Sequence, residues 1–513
     1  MRYLLLLGVL CFSALAGAAP GDSLARAIAQ LPLNAPVSVA RLYGERPQAL
    51  WSREHYQQLL LAVEGSAAEG LSPDDYHYRA LAATDTPAAQ RDVLASDAYL
   101  SLAAHFLAGK LDPVSIEVNW TAKGRQRDLV AHLQRAMATQ DIGASLRELL
   151  PSQPRYQLLK AALQHYRQVD NSGSWPTVAD GALLKPGARS PRIAALRARL
   201  QRGGDLPYYD APAEAEVYDA ELVAALKRFQ RRANLEPDGI VGPATVRELN
   251  RSPGDRIEQL RVNLERWRWL PDDLGAKHIR VNIADYQLEV HQGADITDVH
   301  DVVVGRTYRQ TPVFSATMSY LVLNPWWETP TKLARKDILP KFQADPTLVD
   351  RLGYQLLGGD GKVVDHSKID WRQYSAKHFP FRLRQKPGPS NALGAVKFMF
   401  PNAHEVYLHD TPSRELFAKT RRDFSSGCIR VKDPVDLAQW VLAGNGDWPR
   451  SRIDSVLALG KETSVNLRQR IPVHLLYWTA VANQEGDGVR FIEDIYERDG
   501  RVLAALNQPP ARR

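Results

Sequence analysis

Near Lys277 the apolar residues change spacing, from the helical period of about 3.6 to a period of 2. That switch restricts the chain to folds with a helical first half and a sheet-built second half. Upstream, QQLLLAVEGSAAEGL (57–71) and SDAYLSLAAHFLAG (96–109) carry apolar residues at helical spacing, with Gly70 and Gly109 placed to end helices. Downstream, Ile279, Val281 and Ile283 alternate with Arg280 and Asn282, and Tyr286, Leu288 and Val290 alternate with Gln287 and Glu289. Two such runs around Ala284-Asp285 predict a hairpin. Further strands are expected at 301–304, 318–323, 395–400, 405–409 and 473–481, the last pairing with 488–495.

With 513 residues the chain is too long for one core and calls for about three domains. Breaks in pattern place them. Arg2, the apolar run Leu4 to Leu15 and Ala16-Gly17-Ala18 have the form of a signal peptide over 1–18, cleaved after Ala18. A helical domain, 19–180, follows and ends in the linker NSGSWPTVADGALLKPG. Residues 181–252 hold three helical patterns: RIAALRARLQ (192–201), ELVAALKRFQRRANL (221–235), and a third that opens at Gly242-Pro243, N-cap and first helical residue. A connecting helix spans 253–276. A predominantly β domain covers 277–482, interrupted at 325–390 by an insertion expected to act as a cap or lid. A C-terminal strand and tail, 483–513, close the chain. The fold class is therefore multidomain α+β.

The net charge of +7 favours polyanionic surroundings without choosing among them. No basic run has the density of a nucleic-acid tail; RQR at 125–127 and RR at 231–232 read as solvated faces. Beyond the N-terminus no apolar stretch approaches the ~18 residues of a membrane span, so the exported chain should not insert in a membrane. Gly358-Gly359-Asp360-Gly361 lacks the strand–loop–helix context of a phosphate cradle and reads as a turn.

One segment concentrates chemistry: HDTPSRELFAKTRRDFSSGCIR, His409 to Arg430. Of two cysteines, Cys11 lies in the leader, so Cys428 would be the one thiol of an exported protein. A cysteine attacks as its thiolate, and a free thiol with pKa ~8.5 is only ~3% ionised at neutral pH. A neighbouring imidazole raises that fraction and returns a proton to the leaving group. His409 is the expected base, because the alternation of VYLH puts it and Tyr407 on one strand face. The same alternation turns His404 away, and His366 and His378 lie in the insertion. Gly427 lets a substrate approach the backbone, and the N–H groups of Gly427 and Cys428 are expected to stabilise an oxyanion. Arg430 shares the Cys428 side of its strand, where it holds either a substrate carboxylate or a structural salt bridge. Asp433-Pro434 reads as N-cap and first residue of the next helix. Neither a second cysteine nor paired histidines suggests a metal, and no cofactor is expected.

Two resemblances sharpen this. Leu196, Leu200, Leu226, Phe229, Gln230, Asp238-Gly239, Val241-Gly242, Thr245 and Leu249 resemble the three-helix peptidoglycan-binding module of bacterial wall enzymes. Residues 277 to about 480 resemble the YkuD-type L,D-transpeptidase domain, through His409, Ser425-Ser426-Gly427-Cys428-Ile429-Arg430, Arg309-Gln310-Thr311-Pro312, Asn324-Pro325-Trp326 and PGPSNALGAVKFMFPN. With its helical first half the chain is similar to the long, scaffold-containing, YcbB-like murein L,D-transpeptidases. It departs from the short members at Ser426, where they carry a second histidine.

The resemblance implies a periplasmic enzyme. Cys428 would attack the carbonyl of diaminopimelate in a stem tetrapeptide, release D-alanine protonated by His409, and pass the acyl group to a second diaminopimelate amine, giving a 3→3 cross-link. It carries Tyr407, Ser426, Gly427 and Arg430 over as substrate or oxyanion positions, and implies acylation by carbapenems. Expected partners are stem peptides as donor and acceptor and other wall-synthesis enzymes, with no nucleic acid. The alternatives are an L,D-carboxypeptidase, an enzyme attaching protein to the wall, and a non-catalytic wall-binding scaffold.

Overall fold

In the computed structural model, which describes residues 20–45, 47–139, 141–171, 173–208, 215–483 and 488–512, the alternation after Lys277 folds as an antiparallel pair. β1 (Lys277–Asn282) and β2 (Gln287–Gln292) are joined through Tyr286 at φ 55°. The leader and Cys11 lie outside the described residues. Next come β3 (Asp295–Gly305) and β4 (Phe314–Leu323), each longer than its apolar run predicts, then β5 (Trp327–Glu328), β6 (Tyr354–Leu357), β7 (Val363–Val364) and β8 (Arg382–Gln385). They are followed by β9 (Val396–Met399), β10 (Leu408–His409), β11 (Asp423–Ser425), β12 (Ile429–Val431), β13 (Thr463–Leu476), β14 (Ala480–Ala482) and β15 (Val489–Phe491).

The main sheet runs β11-β3-β12-β10-β9-β4-β13-β1-β2, and β3 also pairs with β2, so the strands close into a barrel. Ile279, Val281, Leu288, Leu321, Val473 and Leu475 are fully buried in it. The other face of β1 is covered too: Arg280 is buried, pairs with Glu289 and lies 5.2 Å from the Trp478 ring, on which Trp267 stacks at 4.7 Å. The connecting helix Pro253–Arg268, capped by a Ser252–Asp255 capping box, supplies Trp267.

Two strand expectations are corrected. The run 405–409 keeps only Leu408–His409 as strand, because Glu405 takes φ 54° and turns the chain. The run 473–481 divides: its first residues end β13, which pairs in parallel with β1 and antiparallel with β4, and its last residues open β14. Only β14 meets β15. The C-terminal region also forms a helix, Asp499–Leu506.

The insertion builds its own four-stranded sheet, β5-β8-β6-β7, with a core around Phe342, Trp371, Leu356 and Leu383. Its helical part is Thr331–Leu333, a π-helical turn Ala334–Ile338, and Leu339–Ala344. The glycines of 358–361 turn β6 into β7.

The chain divides into two compact units: Met1–Lys110 with Gln126–Ser152 and Leu506–Arg513, and Leu111–Arg125 with Gln153–Ala505. The first is helical around the buried helix Ala88–Ala108, which Gly109 ends. Lys110 Nζ pairs with Asp75 (2.7 Å) and donates to Leu506 O (2.8 Å), anchoring the tail to that unit. The second contains the barrel and the three-helix module, Pro191–Arg202, Ala220–Arg232 and Pro243–Leu249, around Leu196, Leu226 and Phe229. The helix Pro154–Asn171, assigned from sequence to the first domain, packs instead in the second unit. Tyr156 Oη there accepts from Arg268 of the connecting helix at 3.1 Å. No helix of the described residues is long and apolar enough to cross a membrane.

Candidate active site

β10 and β12 are parallel neighbours, with Leu408 opposite Ile429 and His409 opposite Arg430. Side chains two apart share a strand face, so Cys428 and Arg430 come up on the same side as Tyr407 and His409. The connection between them is held by a short 3-10 turn, Arg414–Ala418, and by β11.

Cys428 is the one cysteine among the described residues and is half-buried. Its Sγ lies 3.8 Å from Glu405 O, over the turn that Glu405 makes. The Tyr407 hydroxyl lies beside the same sulfur and favours its thiolate. Burial pushes the thiol pKa up, while the Tyr407 N–H and hydroxyl, Lys397 and Arg430 pull it back. Tyr407 is itself half-buried, which raises its phenol, and Trp327 of the insertion beside its oxygen lowers it.

His409 is 5% exposed and shares its Nδ1 hydrogen with Asp410 O at 2.5 Å, which leaves Nε2 as the acceptor. Its ring centre is 5.6 Å from that of Tyr407. Burial pulls its pKa down to about 3, and Arg430 and Lys397 add to the fall. It is therefore a neutral imidazole at pH 7. No hydrogen bond joins it to Cys428 among the described residues; Tyr407 neighbours both.

The loop before the cysteine is braced from below. Thr311, fully buried, accepts from Gly305 N (2.9 Å) and donates from Oγ1 to Gly427 O (2.9 Å), while its own N–H reaches Tyr496 Oη (3.2 Å). Tyr496 Oη donates in turn to Gly305 O at 2.5 Å. Gly427 sits at φ 121°, where a Cβ would be strained although space is open. The expected pair of oxyanion donors is corrected: Gly427 N–H is already bound to Ser425 Oγ at 3.1 Å. Cys428 N–H has no acceptor among the described residues. Ser426 Oγ accepts from Arg309 (3.0 Å), whose guanidinium also pairs with Asp337 of the insertion (3.0 Å). The insertion is thus tied to the cysteine loop through Arg309 and Asp337.

Arg430 was open between salt bridge and ligand. Among the described residues no carboxylate lies within ion-pair distance of it, and its Nε is buried without a partner. Burial and the charge of Arg306 lower its pKa. A cation held in this way is ready for an anion. The competing histidines go elsewhere: the His404 ring packs on Phe314 at 5.0 Å, His366 meets Asp350, and His378 stacks on Tyr374. Asp433 precedes Pro434 at the start of the next helix as expected, but takes φ 52° and makes no side-chain cap.

Sequence reasoning missed Lys397, Trp327 and Arg309. Lys397 stands opposite His409 on β9, a relation visible only once the strands are in register. Arg309 and Thr311 were within a matched motif, and a buried threonine in a loop was the available signal. Among the described residues no cluster of three or more His, Cys, Asp or Glu could hold a metal.

A half-buried thiol beside a tyrosine hydroxyl, with a neutral imidazole and two cations nearby, is a layout that can support cysteine acyl transfer. Comparison with known proteins gives the family of the domain that holds it. Residues 276–456 match the L,D-transpeptidase catalytic domain family, YkuD, residues 37–163 a scaffold domain family, and residues 189–249 the family described as "Putative peptidoglycan binding domain". The chain therefore carries a YkuD L,D-transpeptidase catalytic domain together with a scaffold domain and a peptidoglycan-binding domain. It is 40% identical over 251 residues to a Haemophilus influenzae protein named "Putative L,D-transpeptidase", which is 49% of this chain and 50% of that one. The chain spans about half the length of that curated relative. An 80-residue stretch, 15% of this chain, is 39% identical to 21% of the N-acetylmuramoyl-L-alanine amidase CwlL of Bacillus licheniformis. The crystal structure of the L,D-transpeptidase from Xylanimonas cellulosilytica aligns over 58% of this chain and 99% of that one at 14% identity. The TM-score is 0.19.

Proposed function

We propose that this chain is a peptidoglycan L,D-transpeptidase that works through a Cys428 thioester. The observation that carries the reading is the shared face of β10 and β12, where Cys428, Tyr407, His409 and Arg430 converge inside the matched domain. Neutral His409 takes the thiol proton at Nε2, and the sulfur adds to the carbonyl of the third stem residue. Cys428 N–H donates to the oxygen that becomes negative. The C–N bond to the terminal D-alanine breaks, His409 returns the proton to that leaving amine, and a thioester remains. The side-chain amine of a second stem then attacks, its proton passes to His409, and Sγ leaves with a proton to restore the thiol. Arg430, without a carboxylate of its own, receives a carboxylate of the donor stem. The scaffold and wall-binding domains support a site of action at the cell wall, in the periplasm, where other wall-synthesis enzymes would meet this chain.

The test is product mass after incubation with purified disaccharide-tetrapeptide. The expected product is a dimer lacking one D-alanine whose linkage maps 3→3. A shortened tripeptide alone would instead make the chain a carboxypeptidase, and an adduct on a wall protein an attachment enzyme.

A further inference from the structure

β9 lies antiparallel beside β10 with Lys397 opposite His409, and His409 is opposite Arg430 on β12. Lys397, His409 and Arg430 therefore form one row across three strands, on the face that carries Cys428 and Tyr407. Lys397 Nζ is 4.0 Å from the centre of the Tyr407 ring, and the hydroxyl of that ring lies beside Cys428 Sγ. Among the described residues no carboxylate lies within ion-pair distance of the ammonium. The site thus holds two largely buried cations, Lys397 and Arg430, neither neutralised by the protein. Cations so placed favour an anion formed or bound beside them.

The groups facing the thiol complete the balance. From β10 and the turn before it come Tyr407, His409 and the Glu405 carbonyl; from β12 comes Arg430, with Arg306 beyond it. From β9 comes Lys397, which also feels Glu462, the residue just before β13. Positive charge on both sides opposes an imidazolium at His409, so a standing thiolate–imidazolium pair does not charge the sulfur here.

We propose that Lys397, fixed over the Tyr407 ring, is the standing counter-charge of the Cys428 thiolate. It acts with Tyr407 as a positioning residue, keeping its proton throughout while the thiol proton moves to His409 and back. Tyr407 transmits the effect: the cation against its ring face strengthens the hydroxyl as a donor to the sulfur. This rests on Cys428 being the nucleophile.

The experiment is the pH dependence of Cys428 alkylation by iodoacetamide, scored by peptide mapping, in the full chain, Lys397→Met and Lys397→Arg. In Lys397→Met the titration midpoint should rise by about one unit or more, slowing labelling at neutral pH about tenfold. Lys397→Arg should return most of the rate, which a packing role for the aliphatic stem would not require. Should the methionine variant fail to fold, Lys397→Gln takes its place. A midpoint unchanged in a folded uncharged variant would overturn the proposal. Cross-linking by the unaltered chain is scored separately, so the two readings fail independently. A thiol shift without any cross-linked product sinks the transpeptidase and leaves Lys397 standing. Normal cross-linking with an unshifted thiol sinks only Lys397.

Discussion

His409 is an imidazole flanked by positive charge. Its folded pKa of about 3 lies below the ~6.5 of an exposed histidine. Between those values the unfolded chain binds one proton more than the folded one. The contribution of neutral His409 to stability is therefore complete above pH ~6.5 and is lost as pH falls toward 3. At pH 4.5 the loss from this residue is on the order of 2 kcal/mol. His278, drawn down to about 4 by burial against His291 and His474, weakens the fold in the same direction but is common to both chains in a comparison. Urea unfolding of the full chain and His409→Asn at pH 7 and 4.5 should show the variant losing less stability on acidification; equal losses would contradict the assigned charge state. Cys428 and His409 were legible in the sequence because their residue types and a local alternation name them. Lys397 was not, since its place beside them is decided by strand register. The Gly427 amide was misread for a related reason: its acceptor is the hydroxyl of Ser425, two residues back, and only the turn geometry shows the bond.

The elements around the site are short, and bracing replaces length. β10 has two residues and β12 three, so the cysteine loop depends on Thr311, Tyr496 and the Arg309–Asp337 tie. Thr311→Val leaves Gly305 N and Gly427 O without the hydroxyl that joins them. Two buried groups deprived of a partner cost about 2 kcal/mol or more together. The variant should lose that much stability in urea unfolding and turn over about tenfold more slowly at little change in KM, because a loosened loop misplaces the nucleophile. Thr311→Ser, which keeps the hydroxyl, should recover most of both. A valine variant with normal turnover would show that Gly427 needs no support. Element by element, the hairpin β1–β2 and the module helices followed from period and caps. The 405–409 strand did not survive because Glu405 turns left-handed there, and β13 outgrew its prediction because Arg468, Gln469 and Arg470 break its alternation around a register shift.

For the whole molecule, the change of period at Lys277 announced the helical and β regions and their order. Barrel closure could not be read in this way, since it rests on β3 pairing with both β12 and β2. Nor could the role of the connecting helix. Its buried Glu265 takes Arg268, the Trp269 indole and the Leu111 amide at once, and its Asn263 bonds Thr479 (2.8–2.9 Å). These bonds join segments far apart in the chain, and a polar residue on a helix face carries no mark of them. The C-terminal region, read as strand and tail, likewise supplies Tyr496 to the floor of the site.

The proposed function turns on one covalent event, the acylation of Cys428. It is tested most directly by intact-protein mass spectrometry with a tetrapeptide donor and no acceptor amine, followed by peptide mapping. The expected result is an adduct of the donor less D-alanine on the peptide containing Cys428, labile to hydroxylamine and absent in a folded Cys428→Ala chain. Cross-linked product from Cys428→Ala, or an adduct mapped to any other residue, would contradict the account.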